Sequence, residues 1–129
     1  ADFRFIPTVI RSILKGKQFN LEEEATHDWI YQKDFINGLM VVIKHVEKLK
    51  GQSVNIGTGK SYTNKMVVEA IEIILDKKAK YKPAIGIRPG HSYFWQADIA
   101  KLEGLGFRQA FDITDGLAET IKWYKKIYS

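Results

Sequence analysis

The sequence predicts an α/β chain, an α+β-like lobe in which several helices surround a few short strands. Three observations lead there. Stretches with helical spacing alternate with short runs rich in β-branched and aromatic residues. The strands are too few for a full doubly wound sheet. The 129 residues, 45% hydrophobic and 12% aromatic, suit one folded domain with a modest core, not a disordered chain.

Each element has its own signal. Phe5 to Leu14 reads as a helix, and Pro7 is tolerated in its first turn, where no intrahelical acceptor waits for an N–H. Phe19 to Leu21 and Asp28 to Tyr31 read as short strands. Asp34 to Leu49 reads as a helix capped by Asp34, and the spacing of Phe35, Leu39, Val42, Val46 and Leu49 predicts its buried face. Ser53 to Ile56 is the next strand. Thr63 is the expected N-cap of a helix from Asn64 to Asp76, with Val67, Ile71 and Ile74 on one face. Ala84 to Arg88 reads as a strand ended by Pro89 and Gly90. Asp98 is expected to cap a short helix to about Glu103. Asp112 caps the last helix, Ile113 to Tyr128, with Asp115 in an acidic variant of the capping box and Leu117, Ile121, Tyr124 and Tyr128 inward.

Composition excludes several functions. Without cysteine there is no disulfide framework, thiolate zinc site or thiol nucleophile. No metal site is expected. The longest apolar run, Gly38 to Ile43, is far short of a membrane span. The start, from Ala1, lacks a signal peptide's apolar stretch, so a cytoplasmic protein is expected. Net charge is +5, with lysines at 77, 78, 80, 82, 125 and 126. They are read as cations near helix C-termini; with no stacking or zinc motif beside them, no nucleic-acid partner is expected.

The stretch Ser53-Val54-Asn55-Ile56-Gly57-Thr58-Gly59-Lys60-Ser61 comes close to a P-loop. That loop needs a glycine five positions before Gly59, so that a long run of backbone N–H groups can curl around phosphate, and Val54 stands there. A tight strand-to-helix turn is the better reading.

Several short motifs recur in order. They are Asp28-Trp29-Ile30-Tyr31 with Asp34, Asn55-Ile56-Gly57-Thr58-Gly59, Arg88-Pro89-Gly90-His91, Asp98 with Lys101, Leu105-Gly106-Phe107, and Asp115-Gly116-Leu117 with Thr120, Trp123 and Tyr124. Together, nearly end to end, they resemble the C-terminal half of the extended short-chain dehydrogenase/reductase family, the NAD-dependent nucleotide-sugar epimerases and 4,6-dehydratases. The Arg-Pro-Gly-His form is most like the dehydratases. The spacing from Lys101 to Leu105 is one residue shorter than the family's usual pattern.

The resemblance implies a substrate-binding lobe without its Rossmann domain. It assigns Arg88 to the sugar nucleotide's phosphates, a role its planar fork of donors suits; a surface arginine paired with a carboxylate is the alternative. The family's second phosphate-binding arginine falls at His27, which has fewer donors and a shorter reach. Trp95 stands where relatives place an aromatic near the nucleotide, with core or interface packing as the alternative, and His91 is a candidate substrate contact, with a satisfied turn histidine as the alternative. Glu22, Glu23 and Glu24 replace a loop that is glycine-rich in the family.

The family's Gly-x-x-Gly-x-x-Gly turn and Tyr-x-x-x-Lys pair do not occur here. Four residues after Tyr62, Tyr81 and Tyr124 stand Met66, Ile85 and Tyr128. No catalytic or cofactor-binding residue is therefore expected in this chain, although the parent family uses NAD. The expected function is a sugar-nucleotide-binding lobe, inactive alone. The alternative is a protein-interaction module derived from that family. Either implies self-association or a partner NAD-binding chain.

Overall fold

The computed structural model describes residues 4–84 and 93–128. Helix α1 (Phe5–Leu14) starts after an extended Arg4 and buries Val9, Ile10 and Ile13. It stops at Gly16, whose φ of +63° lets the chain turn back while Lys17 N donates to Ser12 O. Strand β1 (Gln18–Leu21) follows, then the glutamate loop, then β2 (Thr26–His27). Helix α2 (Gln32–Lys44) runs into a 3-10 turn at Val46–Leu49. Strand β3 (Tyr62–Thr63) leads into α3 (Asn64–Leu75), β4 (Lys80–Pro83), α4 (Ala100–Gly104) and α5 (Ile113–Tyr128).

The expected caps of α3 and α5 form. The Thr63 hydroxyl accepts from Met66 N at 3.1 Å, and the Asp112 carboxylate accepts from Asp115 N at 2.8 Å. Asp98 accepts from Ala100 N at 3.0 Å, but Ile99 is the N-cap of α4.

The core gathers Val9, Ile10 and Ile13 of α1, Leu21 of β1, Val67, Val68, Ile71 and Leu75 of α3, and Leu117 and Ile121 of α5. Ile74 and Tyr124 are partly buried against it, while the side chain of Tyr128 lies outside the described ones. Burying these ten residues drives folding at about 1.5–3 kcal/mol for each large aliphatic side chain.

Two small sheets flank the core. In one, β1 and β4 run parallel, with Phe19 opposite Tyr81 and their rings 5.9 Å apart. In the other, β2 and β3 are antiparallel, and Thr26 also bridges Phe94 in parallel.

Several expectations are corrected. Segments 28–31 and 53–56 form no strand; among the described residues no ladder joins either to a neighbour. Lys80 and Lys82 belong to β4, not to a helix end. Of the strand expected from Ala84, only Ala84 is described, and its N–H extends the ladder to Leu21 O at 2.8 Å. Helix α2 starts two residues early, and of its expected face Leu49 is buried and Val42 partly buried, while the other three residues are not. Phe35, Leu39 and Val46 are 45%, 41% and 54% exposed. Gly38 lies inside instead, so close to its neighbours that a Cβ there would be 2.9 Å from Ile56 Cγ2. Asp34 is not the N-cap of α2, which is Tyr31. Fully buried, its carboxylate accepts from Ala110 N at 3.0 Å and Phe111 N at 2.9 Å, fastening α2 to the loop before α5.

Candidate functional site

Two of the four predicted site residues come together. Thr26 N donates to Tyr93 O at 2.7 Å, and Trp95 N donates to Thr26 O at 3.1 Å. Residues 93–95 thus form a third line beside β2 and β3, and His27 and Trp95 share one hydrogen-bonded ribbon. Arg88 and His91, and the strand end before them, lie outside the described residues.

Trp95 is 59% exposed, and its neighbours Tyr93 and Phe94 are exposed too. Along an extended ribbon side chains alternate, so Tyr93 and Trp95 fall on one face and Phe94 on the other. Sequence reasoning singled out Trp95 alone, although the run Tyr93-Phe94-Trp95 was visible. His27 turns inward. Its ring sits 5.2 Å from that of Trp29, and Nδ1 is buried with no hydrogen-bond partner among the described residues. Trp29 packs on Phe5, 5.7 Å between rings, and Tyr31 packs on Phe111 at 4.8 Å. Both are packing residues here.

The near-P-loop has a physical explanation. Its anion is internal. The Asp28 carboxylate accepts from Thr58 N at 2.9 Å, Gly59 N at 3.0 Å, the Thr58 hydroxyl at 2.6 Å and Ala97 N at 3.2 Å. Gly57 lets the backbone come this close: a Cβ there would be 2.6 Å from Ala97 Cβ and 2.8 Å from Asp28 Oδ2. Gly59 supplies a φ of +69°. With its amides occupied and a carboxylate in its mouth, this turn does not fit the pyrophosphate of a dinucleotide. Other motif residues brace the same region. Asn55 Nδ2 donates to Asp98 O at 3.1 Å, and Lys101 Nζ to Ser53 O at 2.9 Å.

The glutamate loop is docked, not loose. Asn64 Nδ2 donates to Glu22 O at 2.9 Å, and Lys65 N donates to Glu23 O at 3.2 Å. The Glu23 carboxylate lies 3.2 Å from Lys65 Nζ. Its hydrogen bond and charge raise the lysine's pKa above the ordinary value. The acidic loop therefore sits at the N-terminus of α3, where negative charge is favoured.

A separate groove of about 700 Å³ lies between the first turn of α1, residues 29–33 and α5. Trp29, Tyr31, Trp123 and Tyr124 line it, and neither His27 nor Trp95 does. Among the described residues, no helix is long and apolar enough to cross a membrane, and no cluster of acidic, histidine or cysteine side chains could hold a metal.

The fold is a mixed arrangement of helices and short strands, compatible with an α/β class. Residues 2–57 match the NAD dependent epimerase/dehydratase family. The chain is 30% identical to dTDP-glucose 4,6-dehydratase of Neisseria gonorrhoeae, over 94% of this chain and 38% of that protein. Among solved structures, it resembles UDP-glucuronic acid 4-epimerase of Bacillus cereus bound to UDP-glucuronic acid and NAD. That likeness has a TM-score of 0.88 at 22% identity, over 98% of this chain and 41% of the other. Another is dTDP-glucose 4,6-dehydratase of Bacillus anthracis in complex with NAD, with a TM-score of 0.76 at 26% identity, over 95% and 39% of the two chains. Part of the chain thus matches the NAD dependent epimerase/dehydratase family, and nearly all of it is similar to nucleotide-sugar epimerases and dehydratases. The chain spans about two fifths of the length of these relatives.

Proposed function

We propose that this chain is the sugar-nucleotide-binding lobe of an NAD-dependent nucleotide-sugar epimerase or 4,6-dehydratase, incomplete for catalysis alone. One observation carries the reading: the ribbon that fastens 93–95 to Thr26 puts an exposed aromatic run beside His27. In this reading Trp95 stacks on the base, and Arg88 grips the diphosphate as a bidentate fork. His27 Nε2 and His91 supply further donors. The acid, base and hydride carrier of the reaction come from outside this lobe.

Calorimetric titration of UDP-glucuronic acid, dTDP-glucose and GDP-mannose into the full chain tests the proposal. One of them is expected to bind at micromolar to millimolar Kd, about 4–8 kcal/mol of binding free energy. Arg88→Ala is expected to weaken that ligand about tenfold or more, as for a lost charge-assisted contact. No heat from any of the three at millimolar concentration overturns it.

A second reading, a protein-interaction module without sugar-nucleotide affinity, is favoured by a different observation. The outer face of α2 presents Phe35, Ile36, Leu39, Met40 and Ile43 to solvent. The same titration separates the two readings.

A further inference from the structure

The fold gathers lysines that stand apart in the chain. Strands β1 and β4 run parallel, with Gln18 beside Lys80 and Asn20 beside Lys82. Their side chains alternate. Phe19, Leu21 and Tyr81 pack inward, and Gln18, Asn20, Lys80 and Lys82 form an exposed face. Because the strands are parallel, the turns that feed them lie at the same end of the sheet. One turn brings Lys15 and Lys17 out of α1, the other Lys77 and Lys78 out of α3, and all four are exposed. Taken one by one, these are cations near helix C-termini. The pairing of β1 with β4 makes them one surface.

The helix ends do not account for so many. Two helix C-termini carry about half a negative charge each, which a single lysine offsets. Residues 15–20 and 69–82 hold six lysines against Glu69, Glu72 and Asp76, so three of the chain's five net positive charges collect here. Lys78 is already engaged. Its Nζ donates to Glu72 Oε2 at 2.9 Å, and that bond, the Glu72 charge and the Glu69 charge raise its pKa. Lys17, Lys77, Lys80 and Lys82 have no ion-pair partner among the described residues. The acidic loop, Glu22 to Glu24, follows the opposite end of β1.

The chemistry of the face selects its partner. Lysine, glutamine and asparagine are side chains that contact phosphate oxygens. An ammonium is a point charge, which grips phosphate without reading a base. No ring or large aliphatic side chain of the two strands is exposed. The face therefore offers neither a stacking platform for unpaired bases nor an apolar wedge for a lipid surface. We propose that the outer face of β1 and β4, with the turns that feed it, seats the phosphate backbone of a double-stranded nucleic acid. Lys17, Lys77, Lys80 and Lys82 neutralise phosphates, and Gln18 and Asn20 donate hydrogen bonds between them. The contact goes beyond the sugar-nucleotide reading and does not depend on it, since neither His27 nor Trp95 belongs to this face.

The test is fluorescence anisotropy of a labelled DNA duplex of about 20 base pairs, of arbitrary sequence, titrated with the full chain between about 30 and 200 mM KCl. Binding is expected at micromolar to submillimolar Kd. The logarithm of the association constant is expected to fall against that of salt with a slope of about −3 to −4, as for four neutralised phosphates. Lys80→Gln with Lys82→Gln is expected to cut the slope by about 2 and to weaken binding about tenfold or more. Lys125→Gln with Lys126→Gln removes the same charge from exposed positions of α5 and is expected to leave the slope unchanged. Lysines on an open strand edge also keep it from pairing with other chains. Lys17→Gln with Lys77→Gln, in the turns, therefore reads the same loss of slope away from that edge. No binding at the lowest salt overturns the proposal. An equal change from the β4 and α5 pairs overturns it too, because diffuse net charge then carries the binding. Tighter binding of the unpaired strand than of the duplex overturns it, as does capture by phosphatidylserine vesicles at a salt where the duplex is not held.

Discussion

Two helices of this chain each lead back through a turn to an extended segment, and the returns end differently. After α3, the chain turns at Asp76 and β4 finds β1, four residues against four in parallel register. After α2, the chain turns at Gly51 and segment 53–56 finds no ladder among the described residues. The helices differ in the same sense. The apolar face of α3, through Val67, Val68, Ile71 and Leu75, is the centre of the core. That of α2 faces out. Both carry the periodic signature of an amphipathic helix, which shows that a face wants cover and not that this chain supplies it.

The largest test of that contrast pairs two isoleucines. Ile71 is fully buried, and Ile36 is 53% exposed. Ile71→Ala removes a packed side chain and leaves a cavity, so about 2–5 kcal/mol of stability is expected to go. Ile36→Ala is expected to cost under about 0.5 kcal/mol in the lone chain. Urea unfolding of the two variants measures both, and comparable losses would mean that the two faces are equally buried in solution.

The same pair shows what was legible in the sequence. Local signals were read correctly: the extent of α1, the Thr63 cap, the Asp112 cap and the inward Leu117, Ile121 and Tyr124 of α5. What failed depended on partners far along the chain. The Phe35, Leu39 and Val46 stripe has the right spacing for burial, but its direction is set by Gly38 against Ile56, Leu102 and Phe107. Strand β4 reads Lys-Tyr-Lys-Pro, a basic tail by composition, and becomes a strand only because β1 is there to pair with it. Segments 28–31 and 53–56 have strand composition, and strands need neighbours. Of the site, motif spacing pointed to His27 and Trp95. Their meeting depends on backbone bonds between 26 and 93–95 that no side-chain pattern records. Asp28 was visible as a motif residue, but its role as the anion inside the glycine turn was not.

A middle-sized effect is expected at the joint that fixes the direction of α2. Among the described residues Asp34 is the one fully buried charged side chain, and it accepts two backbone N–H groups 76 and 77 residues away. Asp34→Ala leaves those donors without their acceptor at about 1–3 kcal/mol for a buried one, so a loss of about 2 kcal/mol is expected. Asp34→Asn keeps one acceptor oxygen and should recover about half. If the alanine variant is as stable as the parent by thermal melting, the contact does not orient α2.

The smallest effect belongs to the turn between α3 and β4, and it is a pH effect. Glu72 closes that turn: Oε1 accepts from Ala79 N at 2.7 Å, and Oε2 accepts from Lys78 Nζ at 2.9 Å. Burial pushes the Glu72 carboxyl's pKa up, but the Ala79 N–H and the Lys78 ammonium outweigh it and hold the pKa below the ordinary value. A carboxylate whose pKa is lowered by folding binds its proton more weakly in the folded state. Its contribution is therefore present above the unfolded pKa and is lost as the pH falls through the folded one. Lys78 is exposed, so the loss is expected to stay under about 1 kcal/mol. Glu72→Gln should lower stability slightly at neutral pH and flatten the acid limb of the stability curve below about pH 4.5. Because β4 is held to β1 by its own ladder, the substitution should loosen the turn without freeing the strand. Hydrogen exchange at Ala79 should then rise while that at Ala84, bonded to Leu21 O, stays unchanged. A rise at both positions would show that β4, like segment 53–56, depends on side chains for its place.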